Sequence, residues 1–134
     1  MKLTLNTIGY MNTFEEITGA RLKECYSEGE RIVFIVKNGY GKKAIGKMGA
    51  NAKKLSFMLK KKIKIIEFDD DPKIFVKSAI YPVKAEKINQ EGDIIYIKVG
   101  DYNSKAMLLG RDRKNLKSLQ DLLNKYFKIE IKVL

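Results

Sequence analysis

Gly46-Lys47-Met48-Gly49 is the stretch of this chain whose residue types and spacing could do chemistry. Two glycines three apart bracket a lysine, after an apolar run and at the mouth of a helical pattern. With no side chains at 46 and 49, the backbone of a ligand can come close, and the amides of a following helix would point toward it with a favourable dipole. Lys47 adds a mobile positive charge at the tip. The combination suits a phosphate seat, although two glycines alone could simply make a turn.

An enzymatic reading competes for the same residues. Gly41-Lys42-Lys43-Ala44-Ile45-Gly46-Lys47 spells the first seven positions of a P-loop, but the eighth, where a serine or threonine hydroxyl holds magnesium, is Met48. A thioether cannot do that work. The doubly wound sheet that carries a P-loop is hard to fit in a unit of this size, and Ser104 to Arg111 in the second half retains none of the pattern. The expectation is a binding protein and not an enzyme, with no cofactor. Cys25 is the single cysteine and there is no histidine, so neither an internal disulfide nor a zinc cluster can be assembled. Cys25 lies in a strand-like stretch and reads as a structural thiol.

Charge surrounds the glycine pair. Residues 31 to 66 hold eleven basic residues and no acid, whereas the rest of the chain balances sixteen of each, so the net charge of +11 is local. Such a concentration attracts polyanions, nucleic acid foremost, or else serves as a solvated lysine face. Met1-Lys2-Leu3-Thr4-Leu5 is too short and too quickly polar for a signal core, and there is no 18-residue apolar run. A soluble, cytoplasmic protein is expected.

The elements that must position the loop follow from pattern. Thr13 and Glu16 fit a capping box opening a short helix that ends near Gly19. Strand-like residues 21 to 26, a turn at 27 to 30 and the apolar run 31 to 36 predict a hairpin. A short helix near 41 to 45, the glycine pair, a helix over 50 to 61 with Ala52, Leu55 and Leu59 on one face, and a strand over 63 to 68 complete the half. Asp71 with Pro72 starts another helix. Strands at 83 to 89, 94 to 99 and 127 to 133, a turn at 90 to 93, and helices near 104 to 109 and beyond then retrace the order. A shift of 64 residues lays Gly46 on Gly110, Asn51 on Asn115, Lys53 on Lys117, Leu55 on Leu119, Leu59 on Leu123 and Lys61 on Lys125. This is duplication, giving two α-β-β-α-α-β units with helices on one face of a small sheet. The uninterrupted apolar runs at 32 to 36 and 94 to 97 suggest sheets covered on both faces, tight packing of the units being one explanation.

At this point the chain resembles a known family. The α-β-β-α-α-β order with Gly46-Lys47-Met48-Gly49 between the central helices resembles the type II KH domain, whose GXXG loop clamps about four nucleotides of single-stranded RNA. Two such units joined through Asp69-Asp70-Asp71-Pro72 and Lys73 to Val83 are similar to the archaeal NusA-like family, across nearly the whole chain. The resemblance implies an α+β fold of two tandem type II KH domains, residues 1–70 with the loop at 46–49 and residues 71–134 with a degenerate loop at 110–113. It also implies single-stranded RNA as ligand, a role in transcription termination or antitermination, and RNA polymerase or ribosomal proteins as candidate protein partners.

Carried over, the resemblance has Gly46, Lys47, Met48 and Gly49 hold the RNA backbone. Lys42, Lys43, Lys53 and Lys54 would neutralise phosphates, and Ile45 and Ala52, with side chains from 32 to 36, would floor an apolar groove or else serve the core. In the second unit Gly110-Arg111-Asp112-Arg113 lacks the closing glycine, Arg113 adds bulk and Asp112 repels phosphate. Arg111, Arg113, Lys114 and Lys117 still offer weaker cationic contacts. The rival reading is a ribosome- or RNP-associated structural protein whose lysines touch folded RNA without sequence preference. Binding to an anionic membrane is disfavoured, because the lysines sit on a compact α/β unit and not on an amphipathic surface helix.

Overall fold

A computed structural model of the chain describes residues 5–134. The expectation that Met1 to Leu5 forms no signal core falls largely outside the described residues. Among those residues, no helix is long and apolar enough to cross a membrane. The chain divides into two compact units, the first ending at Asp69 and the second running from Asp70 to Leu134. Each is a mixed α+β unit built on one three-stranded sheet.

The first unit runs α1 (Leu5–Thr18), β1 (Leu22–Glu28), β2 (Arg31–Val36), α2 (Gly41–Ile45), a 3-10 turn (Lys47–Gly49), α3 (Ala50–Leu59) and β3 (Lys62–Glu67). Strand β2 is central, antiparallel to β1 and parallel to β3. A parallel pair cannot be closed by a tight turn, so the chain must cross over between β2 and β3. That crossover consists of α2, the 3-10 turn and α3, and it carries the glycine pair.

Packing explains the apolar run of β2. Ile32, Phe34 and Val36 join a core with Phe14, Ala20, Leu22, Cys25, Ala44 and Leu55, while Val33 and Ile35, facing the other way, are buried too. Phe14 of α1 stacks on Phe34 with ring centroids 4.3 Å apart, a pairing worth about 1 kcal/mol beyond simple burial. The Cys25 thiol is pushed up to about 12, first by burial and then by the charge of Glu24, which agrees with a structural role.

One predicted boundary fails here. Thr13 does not cap a helix but lies inside α1, which begins eight residues earlier, at Leu5. The helix is set by burial: Phe14 is fully buried, and Tyr10, Met11 and Ile17 pack on the same core at helical spacing. That contact outweighs the local preference of Thr13 and tolerates Gly9 inside the helix. The end is as expected, with the Gly19 amide donating to Glu15 O at 2.9 Å and Gly19 at φ +68.

The second unit repeats the order as α4 (Pro72–Ile80), β4 (Lys87–Glu91), β5 (Ile94–Lys98), α5 (Tyr102–Leu109), a 3-10 turn (Arg111–Arg113), α6 (Lys114–Asn124) and β6 (Glu130–Val133). Its sheet has the same sequence of antiparallel and parallel pairs. Asp71 caps α4 as expected, accepting from the Lys73 amide at 2.9 Å. Both hairpins close with two-residue loops that begin on a glycine at positive φ, Gly29 and Gly92.

Two strands start later than the sequence predicts. Residues 83 to 86 are not in β4, because the buried Val83 turns back on α4 with its amide donating to Ile80 O at 2.9 Å. Residues 127 to 129 are not in β6. The Tyr126 and Phe127 amides still donate to Leu123 O, and both rings pack on the buried Phe75, with centroids 5.7 and 6.1 Å away. Aromatic burial wins there over strand propensity. Helix α5 begins two residues early because Asp101 caps it, accepting from the Ser104 amide at 3.1 Å.

Candidate nucleic-acid interface

The loop is assembled from its two ends. At the start of α2, the Gly39 and Gly41 amides donate to Glu67 at 3.1 and 3.0 Å. The carboxylate at the end of β3 thus satisfies donors that a helix start leaves open. A Cβ on Gly41 would stand 2.0 Å from Glu67 Oε1, so a side chain at 41 would displace the carboxylate from the two amides. The Gly41 amide, where a P-loop would begin, is already occupied by an internal anion.

The two loop glycines are needed for different reasons. Gly46 sits at φ 80, ψ 169, a backbone region that is essentially closed to other residues. Its missing side chain leaves room for Asn51, whose Nδ2 donates to Lys43 O at 3.0 Å. Gly49 sits at φ 75, ψ 16, the left-handed region that other residues can enter at a cost. A Cβ there would meet nothing within 4 Å. Of the two glycines, Gly49 is the one that borders open space; Gly46 serves the loop's own construction.

The second loop has the same backbone despite its different sequence. Gly110 lies at φ 73, ψ 173, Asp112 at φ 55, ψ 30 and Arg113 at φ 59, ψ 25, against φ 55, ψ 29 for Met48. Asn115 Nδ2 donates to Met107 O at 2.9 Å, repeating the Asn51 bond 64 residues on. The first glycine and the asparagine are therefore kept as a pair. The second glycine is dispensable to the shape, and Arg113 places a side chain where Gly49 leaves space. Both loops carry the same formal charge, so they differ in access more than in charge.

Around the first loop the basic side chains face solvent. Lys42, Lys43, Lys47, Lys53 and Lys54 are exposed, as are Arg111, Arg113, Lys114 and Lys117 in the second unit. Met48, at the tip, is 87% exposed. Ile45 is partly exposed and Ala52 half-buried. The expected groove floor from residues 32 to 36 is not available: all five are at most 1% exposed, because β2 is the central strand and is covered on both faces.

Sequence reasoning passed over three residues. Asn51 was visible as a repeat match, but only the structure shows what it holds. Glu67 gave no signal, since its partners are backbone amides far away in sequence. Phe57, on α3, reads as one more apolar residue of a helix yet is 83% exposed.

Comparison with known proteins found relatives along most of the chain. It is 34% identical over 128 residues to a protein of Methanococcus vannielii named "Probable transcription termination protein NusA", covering 91% of this chain and 73% of the relative. A protein of the same name from Methanocaldococcus jannaschii is 32% identical over 139 residues, covering 100% of this chain and 75% of the relative. The crystal structure of APE1850 matches with a TM-score of 0.72 at 29% identity, covering 98% of this chain and 100% of that one. No family model matches.

Proposed function

The chain belongs to the archaeal NusA-like family, and from that premise we propose that it acts in transcription termination or antitermination by binding single-stranded RNA through the loop Gly46 to Gly49. Each unit is read as a type II KH domain. The α-β-β-α-α-β order and the glycine loop between the central helices support that reading. The observation that carries it is the open backbone at Gly49, with exposed Lys42, Lys43, Lys47, Lys53 and Lys54 around it. A strand's phosphates can approach the amides there while the lysines release counterions. The second unit contributes weaker contacts through Arg111, Arg113, Lys114 and Lys117, because Arg113 fills the approach. In this reading the protein is a cytoplasmic binding protein and not an enzyme, and its partners beyond RNA belong to the transcribing complex.

The test is a salt series of binding to single-stranded RNA, duplex RNA and single-stranded DNA, with the variant Lys47→Asp, Met48→Asp. The fold should survive, because Asp112 occupies the position of Met48 in the second loop with the same backbone. The expected result is a preference for single-stranded RNA that weakens about ten-fold or more in the variant, with a shallower salt slope. Arg111→Asp with Arg113→Asp should weaken it less. Equal binding to all three nucleic acids, untouched at the loop, would defeat the reading and favour a general polyanion surface.

A further inference from the structure

Helix α3 carries an exposed stripe, through Lys53 and Lys54, that continues past the loop. Leu55 is fully buried, and Phe57, on the opposite side of the helix, is 83% exposed. The ring stands in water on a helix whose exposed side also carries Lys53 and Lys54. Lys53 and Lys54 precede Phe57 by four and three residues, and Lys60 and Lys61 follow it at the same spacings, all exposed. Lys53 and Lys54, within the helix, are its neighbours, while Lys60 caps α3 in a left-handed conformation and Lys61 lies beyond its end.

At the C-terminal end of α3 lies a hollow of about 460 Å³ lined by Ser56, Lys60, Lys61, Lys62 and Glu30. Its wall is fixed: Ser56 Oγ donates to Lys61 O at 2.9 Å, and the Lys62 amide donates to Glu30 O at 3.3 Å. Three lysines and one carboxylate give it a positive balance.

The duplication provides a comparison inside the same chain. Lys117 and Lys125 stand in the register of Lys53 and Lys61, but Asp121 stands in the register of Phe57. The second unit keeps those two cations, has Ser118, Asn124 and Tyr126 in the register of Lys54, Lys60 and Lys62, and puts a carboxylate where the first has a ring.

We infer that the outward face of α3 is a second RNA contact, in which Phe57 stacks on an unpaired base and Lys60, Lys61 and Lys62 hold its phosphate. This rests on the reading of the loop as an RNA site and adds to it. An exposed aromatic ring among cations suits a nucleobase, since every base offers a π-face and its phosphate answers the lysines. An apolar protein surface would gain from the ring but would have to bury the lysines around it. Phe57 lies about 10 Å along the helix axis from Ala50, nearly two turns on and on the same face of the helix. A strand that reaches it runs past the loop along α3.

The experiment compares RNA of about four nucleotides, enough for the loop, with RNA of about twelve. Using the full chain, binding of each is measured for the native protein, Phe57→Ala, Phe57→Leu, Phe57→Tyr and the Lys47→Asp, Met48→Asp variant. Phe57→Ala and Phe57→Leu should each lower affinity for the longer strand about ten-fold and leave the shorter one unchanged, while Phe57→Tyr retains native affinity. If the short RNA binds, and is lost in the loop variant, but Phe57→Ala holds the long strand at native affinity, this inference is overturned and the loop reading stands. If the native chain binds neither RNA, both fall together. Equal losses for Leu and Tyr would also overturn it, because they would remove stacking as the cause.

Discussion

Gly46 and Asn51 occupy one volume: a Cβ on the glycine would stand 2.9 Å from both Asn51 Cγ and the Asn51 backbone nitrogen. Gly110 and Asn115 repeat the relationship, with the nearest approach at 2.6 Å. The asparagine in turn ties the loop to the preceding helix through a carbonyl, Lys43 O in one unit and Met107 O in the other.

Gly46→Ala and Gly49→Ala should therefore differ sharply. The first meets both a forbidden backbone region and a clash, and should cost about 3 kcal/mol. The second meets only left-handed strain in open space, at about 1 kcal/mol. Urea denaturation of the two variants checks the ranking, and equal costs would show that Asn51 can move aside.

Arg113→Gly should stabilise the chain, by up to about 1 kcal/mol, because it removes left-handed strain at φ 59 without changing the loop. In RNA binding the same substitution should raise the second unit's contribution by opening the approach that Gly49 leaves open in the first. A loss of stability in urea would mean that the Arg113 side chain makes contacts that outweigh its strain.

Lys64 gives the chain a pH signature. Its ammonium is lowered to about 8, first by burial, then by repulsion from Arg31, with Glu28 opposing. Between about 8 and the ordinary 10.5 the unfolded chain binds a proton that the folded one has released, so stability should rise with pH. From 9.0 upward Cys25 acts the other way, because its folded thiol stays protonated to about 12. The clean window is about pH 8 to 9, where the melting temperature should rise in the native chain and stay flatter in Lys64→Met. Identical slopes would remove Lys64 as the cause.

The frame of the site could be read before the structure because its signals are local. The pairing of Gly46 with Asn51 survives duplication, hairpin turns carry glycine, and Asp71-Pro72 marks a helix start. What could not be read depends on tertiary burial. A threonine three residues before a glutamate looks like a cap, and only the packing of Phe14 on Phe34 shows that the helix began earlier. In β2 every position is apolar, so no alternation separates Ile32, Phe34 and Val36 from Val33 and Ile35. Phe57 lies two residues from Leu55, so the helical period already turns it away from the core face, but only the structure shows that nothing else in the unit covers the ring.

Glu67 bears on the order in which the molecule can be made. Translation delivers the basic loop first and the carboxylate that seats α2 afterward, at the end of the unit's last strand. While residues 41 to 49 are newly emerged, the amides of Gly39 and Gly41 have no such acceptor. The loop is thus completed only when β3 has aligned beside β2, and a nascent chain stopped short of Glu67 would carry the lysines without the geometry that aims them.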